Sequence, residues 1–484
     1  MDAIAYTLDK QGNNLSFKCS DGREFSTDKW VDAITYFLEP CQTSCYGVVW
    51  NIDKFAADFI SLLPAKNIKE INNTDRTILD NGEKVFYSAG RKLSITYGWI
   101  NDQKRREVDI YGLHRYSDKP VDTPEELMTL WREVMVGYSY FGIVPQGLSS
   151  PIGAYEPLID LIDFARACDL DDIGQELVDV FKGSPDNLAW QEWRETYILG
   201  HFQKGEVHDY DQISSYPGIM AKLPDLRHAK IIKSKDIPIG YEWGLMCGEL
   251  NIEKDYTYFD MGKYERWITT GQLRQINQYH WGTFKQQQGY FIKFPKVRRY
   301  PFAELMNRLF EAKRSEQGMV KKLAKMIMNG LGGKFNSQFQ GRPSKNYNPI
   351  LAKMVSSGCQ MKTANLVWSK PDELDKTVSV QVDGVLTQAE YDIPNSDCLG
   401  AWRKNHDTEF LVVSQNNQFD GMDEKHPELP YSQLMRMIND KPNQSIYSGI
   451  DLLLETYTRN FKNTPKTGKE LLEKRFYSKP IIRT

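Results

Sequence analysis

The stretch from Lys313 to Phe335 constrains the fold most, because KRSEQGMVKKLAKMIMNGLGGKF has the pattern of one long amphipathic helix. Its polar residues recur at intervals of eight, four and four positions, which keeps them in one slowly drifting stripe on a helix. This stripe consists of Lys313, Lys321, Lys325 and Asn329. The opposite, apolar face consists of Leu323, Ala324, Ile327 and Leu331. Gly332 and Gly333 then end the predicted helix, since glycine is the usual residue at that position.

This predicted helix lies in the most basic part of a chain whose net charge is −3. From Lys285 to Lys334 there are twelve Lys and Arg against three Glu, an excess of nine positive charges. Aromatic residues and prolines interleave with the first half of this segment, in GYFIKFPKVRRYPF. One interpretation is a solvated basic surface. The other is a set of cations that binds the phosphates of a nucleotide or of nucleic acid.

Length and composition narrow the class of protein. The chain has 484 residues, enough for two to four domains of about 100–200 residues each. It has no run of about eighteen apolar residues, and its N-terminus has no basic region leading into an apolar stretch, so we expect neither a membrane span nor a secretory signal. Seven scattered cysteines, of which only Cys41 and Cys45 lie close together, indicate a reducing cytoplasm and no zinc site.

Strand-like and helical patterns alternate in the first third of the chain, which indicates an α/β fold. LSFKCSDGREF is typical of a hairpin around Asp21-Gly22, and CYGVVWNIDKFAADFISLLP of a strand that leads into a helix. The segment TPEELMTLWREVMVGYSYFG begins like a helix with Thr123 as N-cap and Pro124 at the first position.

Acidic residues mark two predicted strands in the second half of the chain. In HDYDQISSYPGIM, the two-residue period of a strand places Asp209 and Asp211 on one face, and Pro217 follows the strand. The predicted strand VSVQVDGVLT adds Asp383, followed by Gly384. Such residues commonly cap turns. Carboxylates at the ends of neighbouring strands also hold pairs of magnesium ions for phosphoryl transfer.

Taken together, three motifs resemble, in order and spacing, the polymerase motifs of family B DNA polymerases, most closely the protein-primed group of phages and linear plasmids. They are Asp211-x-x-Ser214-x-Tyr216-Pro217, Lys325-x-x-x-Asn329-x-x-x-Gly333 and Val382-Asp383-Gly384. The segment EQGMVKKLAKMIMNGLGGKF matches sequences of that group almost position for position. Tyr197 and Gly200, in TYILGHF, resemble a degenerate form of the group's Tyr-x-Gly-Gly motif, which contacts the template. The resemblance extends over most of the chain.

The resemblance implies an α/β multidomain protein with the right-hand arrangement of palm, fingers and thumb, preceded by a truncated RNase H-like, exonuclease-type domain. The implied domains are residues 1–190 for a degenerate exonuclease-like domain and helical linker, 191–300 for the palm with a shortened insertion, 301–340 for the fingers, 341–425 for the remaining palm and 426–484 for the thumb.

The resemblance also implies a set of site residues. Asp211 and Asp383 would be catalytic and would ligate two Mg²⁺ ions, with Mn²⁺ as the alternative metal and the backbone carbonyl of Gln212 as a further ligand. The residues implied to bind the nucleotide are Ser214, Tyr216, Lys313, Lys321, Lys325 and Asn329. Tyr216 would lie under the deoxyribose and exclude a 2′-hydroxyl. The residues implied to contact DNA are Tyr197, Gly200, Lys296, Arg298, Arg299, Gly333 and Lys334.

The chain departs from the family pattern within the polymerase motifs. Gln381 stands where the family's Asp-Thr-Asp motif has its first aspartate, and we hypothesise that Asp209 partly replaces that carboxylate. Gly332 stands where the family has a tyrosine that packs on the nascent base pair. An open pocket and low fidelity are therefore expected.

The N-terminal region departs furthest. The chain is expected to begin at the second strand of the exonuclease-type domain, without the strand that carries the Asp-x-Glu motif. Ala56 follows Phe55 where the second exonuclease motif has an aspartate, and Thr129 and Glu133 stand where the third has Tyr and Asp. Because two-metal hydrolysis needs several carboxylates at one place, 3′–5′ proofreading is expected to be absent.

Two insertions that the group uses for terminal-protein binding and strand displacement look short, which leaves both activities open. The family's Lys-x-Tyr motif falls either on Asn417-Gln418-Phe419 or on Lys474-Arg475-Phe476. The leading interpretation is a DNA-directed DNA polymerase that copies a phage or plasmid genome in a bacterial cytoplasm. Its implied partners are primer-template DNA, deoxynucleotides and, as a further candidate, a terminal priming protein. The alternatives are a degenerate polymerase that serves as a nucleic-acid-binding subunit, and an untemplated or lesion-tolerant polymerase.

Overall fold

A computed structural model describes most of the chain, with gaps. The described residues are 3–12, 14–40, 44–88, 92–97, 106–117, 119–145, 172–181, 198–227, 229–339, 342–344, 346–381, 383–394, 396–405, 408–414, 417–420 and 481–482. Among them, no helix is long and apolar enough to cross a membrane.

The described part of the chain combines helices with runs of strands, which agrees with the predicted α/β class. The helices are α1 Trp30–Leu38, α2 Ile52–Ile60, α3 Ala65–Thr74, α4 Pro124–Tyr140, α5 Asp172–Phe181, α6 Ser215–Met220, α7 Thr270–Gln278, α8 Ala303–Ser315, α9 Gly318–Lys334 and α10 Pro349–Val367, with a 3₁₀ helix at Pro371–Lys376. The strands are β1 Ala3–Gln11, β2 Asn14–Cys19, β3 Glu24–Thr27, β4 Ser44–Val49, β5 Arg76–Ile78, β6 Lys84–Ser88, β7 Lys92–Tyr97, β8 Arg106–Gly112, β9 Ile198–Phe202, β10 His208–Gln212, β11 Lys230–Ser234, β12 Trp243–Ile252, β13 Gly262–Thr269, β14 Gly282–Lys293, β15 Gln338–Phe339, β16 Arg342–Pro343, β17 Thr377–Val380, β18 Gly384–Thr387, β19 Trp402–Lys404, β20 Phe410–Ser414, β21 Asn417–Asp420 and β22 Ile481–Ile482.

The chain divides into two compact units, neither of them continuous in sequence. The first comprises residues 1–163 and 308–331, and the second comprises residues 164–307 and 332–484. The finer division into palm, fingers and thumb stays a prediction, and the implied thumb, 426–484, lies almost wholly outside the described residues.

An eight-stranded sheet forms the centre of the first unit, in the order β3-β2-β1-β4-β8-β7-β6-β5. Helices α1 and α2 pack on one face of it, where Phe17, Phe37, Phe55 and Phe59 lie in a buried core. The predicted hairpin around Asp21-Gly22 is present as β2 and β3, which pair in antiparallel register. The predicted N-cap is also confirmed, because the Thr123 side chain accepts a hydrogen bond from the Glu126 amide.

β1 lies inside the sheet, antiparallel to β2 and parallel to β4. It reads AIAYTLDKQ, with Asp9 as its one acidic residue. The strand therefore carries no Asp-x-Glu pair. The correspondence of this sheet to an exonuclease-type domain stays a prediction, and so does the expected loss of that domain's first strand.

The described part of the second unit contains three four-stranded sheets, with the orders β17-β18-β10-β19, β11-β14-β12-β13 and β21-β20-β9-β22, and the two-stranded pair β15-β16. A buried core joins the first two: Tyr210 of β10 lies in it with Phe291 of β14 and Trp281. Helix α10 is buried along most of its length. Its Cys359 contacts Ser215 of α6, and its Gln360 accepts a hydrogen bond from Gln272 of α7.

The single helix predicted from Lys313 onward is two helices, which corrects the first expectation. α8 ends at Ser315 and α9 begins at Gly318, whose φ of +57° lies in the left-handed region. Glycine adopts that conformation at little cost, so the chain turns there. Lys313 consequently lies on α8, apart from Lys321, Lys325 and Asn329 on α9. Gly332 and Gly333 lie inside the last turn of α9, which ends at Lys334.

Candidate active site

The strand β10 carries Asp209 and Asp211 between two antiparallel neighbours, β18 and β19. The residue between them, Tyr210, is fully buried in the core, and the Tyr391 amide donates to its hydroxyl over 2.8 Å. Because side chains alternate along a strand, the two aspartates point to the opposite face, as predicted from their spacing. β10 ends at Gln212, so Asp211 lies one residue before the end of the strand.

Asp383 lies in the tight turn between β17 and β18. The predicted strand VSVQVDGVLT is therefore a hairpin, closed by a hydrogen bond from the Gln381 amide to the Gly384 carbonyl. An Asp-Gly pair between apolar runs is a strong hairpin signal that the sequence contained. The Gln212 amide donates to the Asp383 carbonyl over 2.8 Å, and Gly384 is the register partner of Asp211. The turn is thus bonded to the end of β10.

The carboxyl groups of Asp211 and Asp383 interact electrostatically. Burial first, and then the negative charge of Asp211, raise the pKa of Asp383 from 3.8 to about 6. Two close carboxylates repel each other, so a cation bound between them would lower the energy of the ionised pair. The two residues that the sequence motifs single out as metal ligands are therefore brought together by the fold.

Strand β19 supplies a partner to each aspartate of β10. Arg403 is the register partner of Asp211, and its Nη2 lies 3.1 Å from the Asp211 Oδ2. Two residues further on, Asn405 donates from Nδ2 to the Asp209 Oδ2 over 2.8 Å, and its amide donates to the Asp209 carbonyl. Sequence reasoning missed Arg403 and Asn405, because nothing in LGAWRKN indicates which strand it pairs with.

A buried network of polar side chains connects the end of β10 to helices α6 and α10. The Gln212 side chain donates from Nε2 to the Thr363 hydroxyl of α10 over 2.9 Å and accepts from the Ser215 hydroxyl over 2.9 Å. Ser215 also lies 3.1 Å from the Cys359 Sγ. Because each buried polar group here has a partner, the network holds the strand and the start of α6 in one arrangement.

Tyr216 lies half-buried on the short helix α6. Ser214, just before that helix, has φ of +52° and ψ of +62°, a left-handed conformation that costs a non-glycine residue energy. Gly218, also on α6, lies so close to the loop at Gly400 that a Cβ added to it would lie 2.6 Å from the Cα of Gly400. The turn and the close backbone approach together set where the Tyr216 ring lies.

The cationic helix face belongs to the first unit. Lys321, Lys325 and Asn329 are exposed on α9, whereas Lys313 on α8 is half-buried. The predicted apolar face is confirmed, since Leu323, Ala324, Ile327 and Leu331 are all buried. Leu323 packs closely on Gly137 of α4. A Cβ added to Gly137 would lie 2.5 Å from the Leu323 Cδ1. Triphosphate binding by the three lysines stays a prediction.

The predicted DNA-contacting loop between β14 and α8 is exposed. Lys296, Arg298 and Arg299 all lie on it. Arg298 forms an ion pair with Glu242, which offsets part of its charge. Arg299 borders a pocket of about 400 Å³ together with Arg227, which is itself ion-paired to Asp225.

The remaining predicted site residues are scattered. Gly200 lies in β9 opposite Val412, and Gly333 and Lys334 form the last residues of α9. Asn417, Gln418 and Phe419 lie in the edge strand β21. Tyr197 and the alternative Lys474-Arg475-Phe476 lie outside the described residues.

The residues that stand at the exonuclease motifs have structural or solvated settings. Ala56 is fully buried and Glu133 is exposed. Asp53 accepts a hydrogen bond from the Tyr87 hydroxyl, and Asp58 lies 3.7 Å from the Lys10 Nζ. Asn51 caps α2 by accepting bonds from the amides of Asp53 and Lys54.

The donors at Asp211 and Asp383 fit magnesium. Within the described part of the chain, no group of three or more His, Cys, Asp or Glu side chains could hold a metal ion. Asp209 therefore does not complete a three-residue cluster there. Two carboxylates nevertheless suit Mg²⁺, which prefers oxygen ligands and is commonly held by one or two carboxylates together with substrate phosphates.

Comparison with solved structures identifies the fold. Phi29 DNA polymerase complexed with primer-template DNA and incoming nucleotide substrates matches with a TM-score of 0.56 and 14% sequence identity, covering 84% of this chain and 84% of that chain. Phi29 DNA polymerase complexed with primer-template DNA alone matches with a TM-score of 0.57 and 14% identity, covering 86% of each chain. Neither a protein-family model nor a curated protein sequence matches. The resemblance to protein-primed family B polymerases is thus confirmed at the level of the fold.

Proposed function

We propose that this chain, which shares the fold of Phi29 DNA polymerase, is a DNA-directed DNA polymerase. The observation that carries the proposal is the meeting of Asp211 and Asp383, where the turn between β17 and β18 is bonded to the end of β10. In the proposed reaction, a primer 3′-hydroxyl attacks the α-phosphate of a deoxynucleotide and pyrophosphate leaves. Positioning and charge neutralisation supply most of the rate enhancement in such transfers.

The proposed roles of individual residues rest on the family resemblance and, for the two aspartates, also on this geometry. Asp211 and Asp383 would hold the divalent ions, with the backbone carbonyl of Gln212 as a further ligand. When bound, these ions supply Lewis-acid stabilisation of charge on the reacting phosphate. Gln212 and Ser215, through their buried bonds, keep the carboxylates at one spacing. Tyr216 borders the sugar and excludes a 2′-hydroxyl, while the lysines of α8 and α9 bind the triphosphate.

The partners of the proposed enzyme are primer-template DNA and deoxynucleotides, which are the molecules bound in the Phi29 complexes. A terminal priming protein is a further proposed partner. Gly332 in place of a tyrosine supports an open pocket and reduced fidelity. Replication of a phage or plasmid genome is proposed from the family resemblance alone.

A second candidate function is a degenerate polymerase that binds nucleic acid without extending it. Two observations favour it. Gln381 replaces one carboxylate of the motif, and Arg403 forms an ion pair with a remaining one, Asp211. Both features weaken the attraction of the site for metal.

Primer extension in magnesium separates the two candidates. We expect extension by the wild type, and a loss of at least about a hundredfold in Asp211→Asn or Asp383→Asn, since each removes charge that contacts the reacting centre. Glu390→Gln is the matched control, because this acid pairs with Lys404 away from the carboxylates. DNA binding with no extension by the wild type would support the second candidate instead.

A further inference from the structure

The guanidinium of Arg403 is a positive charge next to Asp211, a proposed metal ligand. We propose that Arg403 is a built-in counter-ion that competes with the divalent metal for the Asp211 carboxylate and so lowers the metal affinity of the site. The proposal rests on the proposed function, because it assumes that Asp211 is a metal ligand. It adds a residue that sets how much metal the enzyme needs.

The sheet register places Arg403 beside Asp211. The two residues are direct partners across the antiparallel pair β10 and β19, and side chains of directly opposed residues lie on the same face at close range. The Nη2 to Oδ2 distance of 3.1 Å is that of a charge-assisted hydrogen bond. The pairing of the two strands therefore brings Arg403 and Asp211 together.

Side chains along β19 point alternately to opposite faces of the sheet, so Arg403 and its neighbour Lys404 contact different residues. Arg403 and Asn405 meet the two aspartates on one face, and Lys404 between them reaches Glu390 over 3.4 Å. The cation that meets a proposed metal ligand is thus an arginine, and the residue that meets Asp209 is a neutral amide. Lys404 carries the same charge on the same strand, and its side chain points to the opposite face, where it contacts Glu390.

Two physical effects make Arg403 a competitor. The guanidinium bonds to Oδ2 and so takes up one of the acceptor positions that a metal could use on that oxygen. The positive charge also repels an incoming divalent ion. Both side chains are partly exposed, at 53% for Arg403 and 31% for Asp211, so solvent screens the effect to the size typical of surface ion pairs.

The test is calorimetric titration of the full-length chain with MnCl₂, in the absence of DNA and nucleotide. Removing the charge in Arg403→Gln should tighten Mn²⁺ binding by about three- to fivefold, the upper part of the range expected for a partly exposed charge pair. Lys404→Gln, the matched control, should bind Mn²⁺ like the wild type. The gain should shrink as salt is added, because salt screens exposed charges.

A second variant separates this proposal from the proposed function. Asp211→Asn should lose the Mn²⁺ site altogether. If Asp211→Asn loses the site but Arg403→Gln binds Mn²⁺ within about twofold of the wild type, the role of Arg403 is overturned and the metal site stands. If Asp211→Asn binds like the wild type, the metal assignment and the role of Arg403 both fall. Unfolding midpoints of all variants establish that each is folded.

Discussion

Lys353 shows how strongly one residue's chemistry depends on its surroundings. It lies on α10 with only 1% of its surface exposed. Burial first, and then the positive charge of Arg266, lower its pKa from 10.5 to about 7. Between these two pH values the folded chain holds the neutral amine, whereas the unfolded chain binds a proton there. Because the unfolded state binds more protons, the free energy of unfolding rises with pH across this window.

Replacing Lys353 with methionine tests this pH dependence. Relative to Lys353→Met, the wild type should gain about 1.4 kcal/mol of unfolding free energy per pH unit between roughly pH 7 and pH 10. Urea denaturation of both proteins at several pH values measures the difference. Parallel profiles would mean that Lys353 stays protonated in the folded protein. Below pH 7 the two profiles should run parallel, since both states then carry the proton.

At the scale of elements, the helix α6 depends on one close backbone contact. Gly218 lies where any Cβ would meet the Cα of Gly400 at 2.6 Å, and Gly400 itself has φ of +79°. The Gly400 amide donates to the Ile213 carbonyl, which ties the same loop to the end of β10. This contact positions α6, and with it Tyr216, against the strand that carries Asp211.

Adding one methyl group at Gly218 should therefore disturb the site. Gly218→Ala should lower the free energy of unfolding by about 1–3 kcal/mol, the usual cost of overpacking, and should weaken primer extension. Gly333→Ala is the matched control, since no atom of the described residues beyond its own stretch of helix lies within 4 Å of its Cβ position. This control should leave stability unchanged or raise it by up to about 1 kcal/mol, because alanine favours helix. Equal stability in both variants would show that α6 shifts freely.

At the scale of the whole molecule, the expected absence of proofreading depends on the acidic residues of the first unit. Strand β1 has Asp9 as its one acidic residue, and Ala56, which stands where the second exonuclease motif has an aspartate, is buried in the core. Among the residues that the structure describes, no acidic cluster suited to a metal lies in this unit. Hydrolysis by two metals needs such a cluster, so the chain should extend DNA without correcting it.

A primer with a 3′ mismatch tests the expected absence of proofreading. Incubated with magnesium and no nucleotides, the wild type should release no terminal nucleotide above the background of a reaction without protein. Asp383→Asn serves as the control, because it removes the proposed polymerase site and leaves the first unit unchanged. Release that persists in Asp383→Asn would reveal a working nuclease, and this prediction would then be wrong.

Secondary-structure features were predictable from the sequence wherever residues close together in the chain determine them. The hairpin of β2 and β3, the cap at Thr123 and the buried face of α9 all follow from periodicity and turn residues. Predictions failed where a motif was given more weight than those rules. The break at Gly318 and the turn at Asp383 both had a glycine signal in the sequence.

The order and spacing of Asp211, Lys325 and Asp383 were enough, in sequence alone, to indicate the fold and the candidate carboxylates. Only the tertiary structure decided what surrounds them. Arg403 lies 192 residues from Asp211, and the register of β10 with β19 brings the two together. The raised pKa of Asp383 likewise depends on burial and on a charge from another strand. Strand register and burial result from packing between distant segments, so local sequence specifies the residues of the site and long-range packing determines their partners and charge.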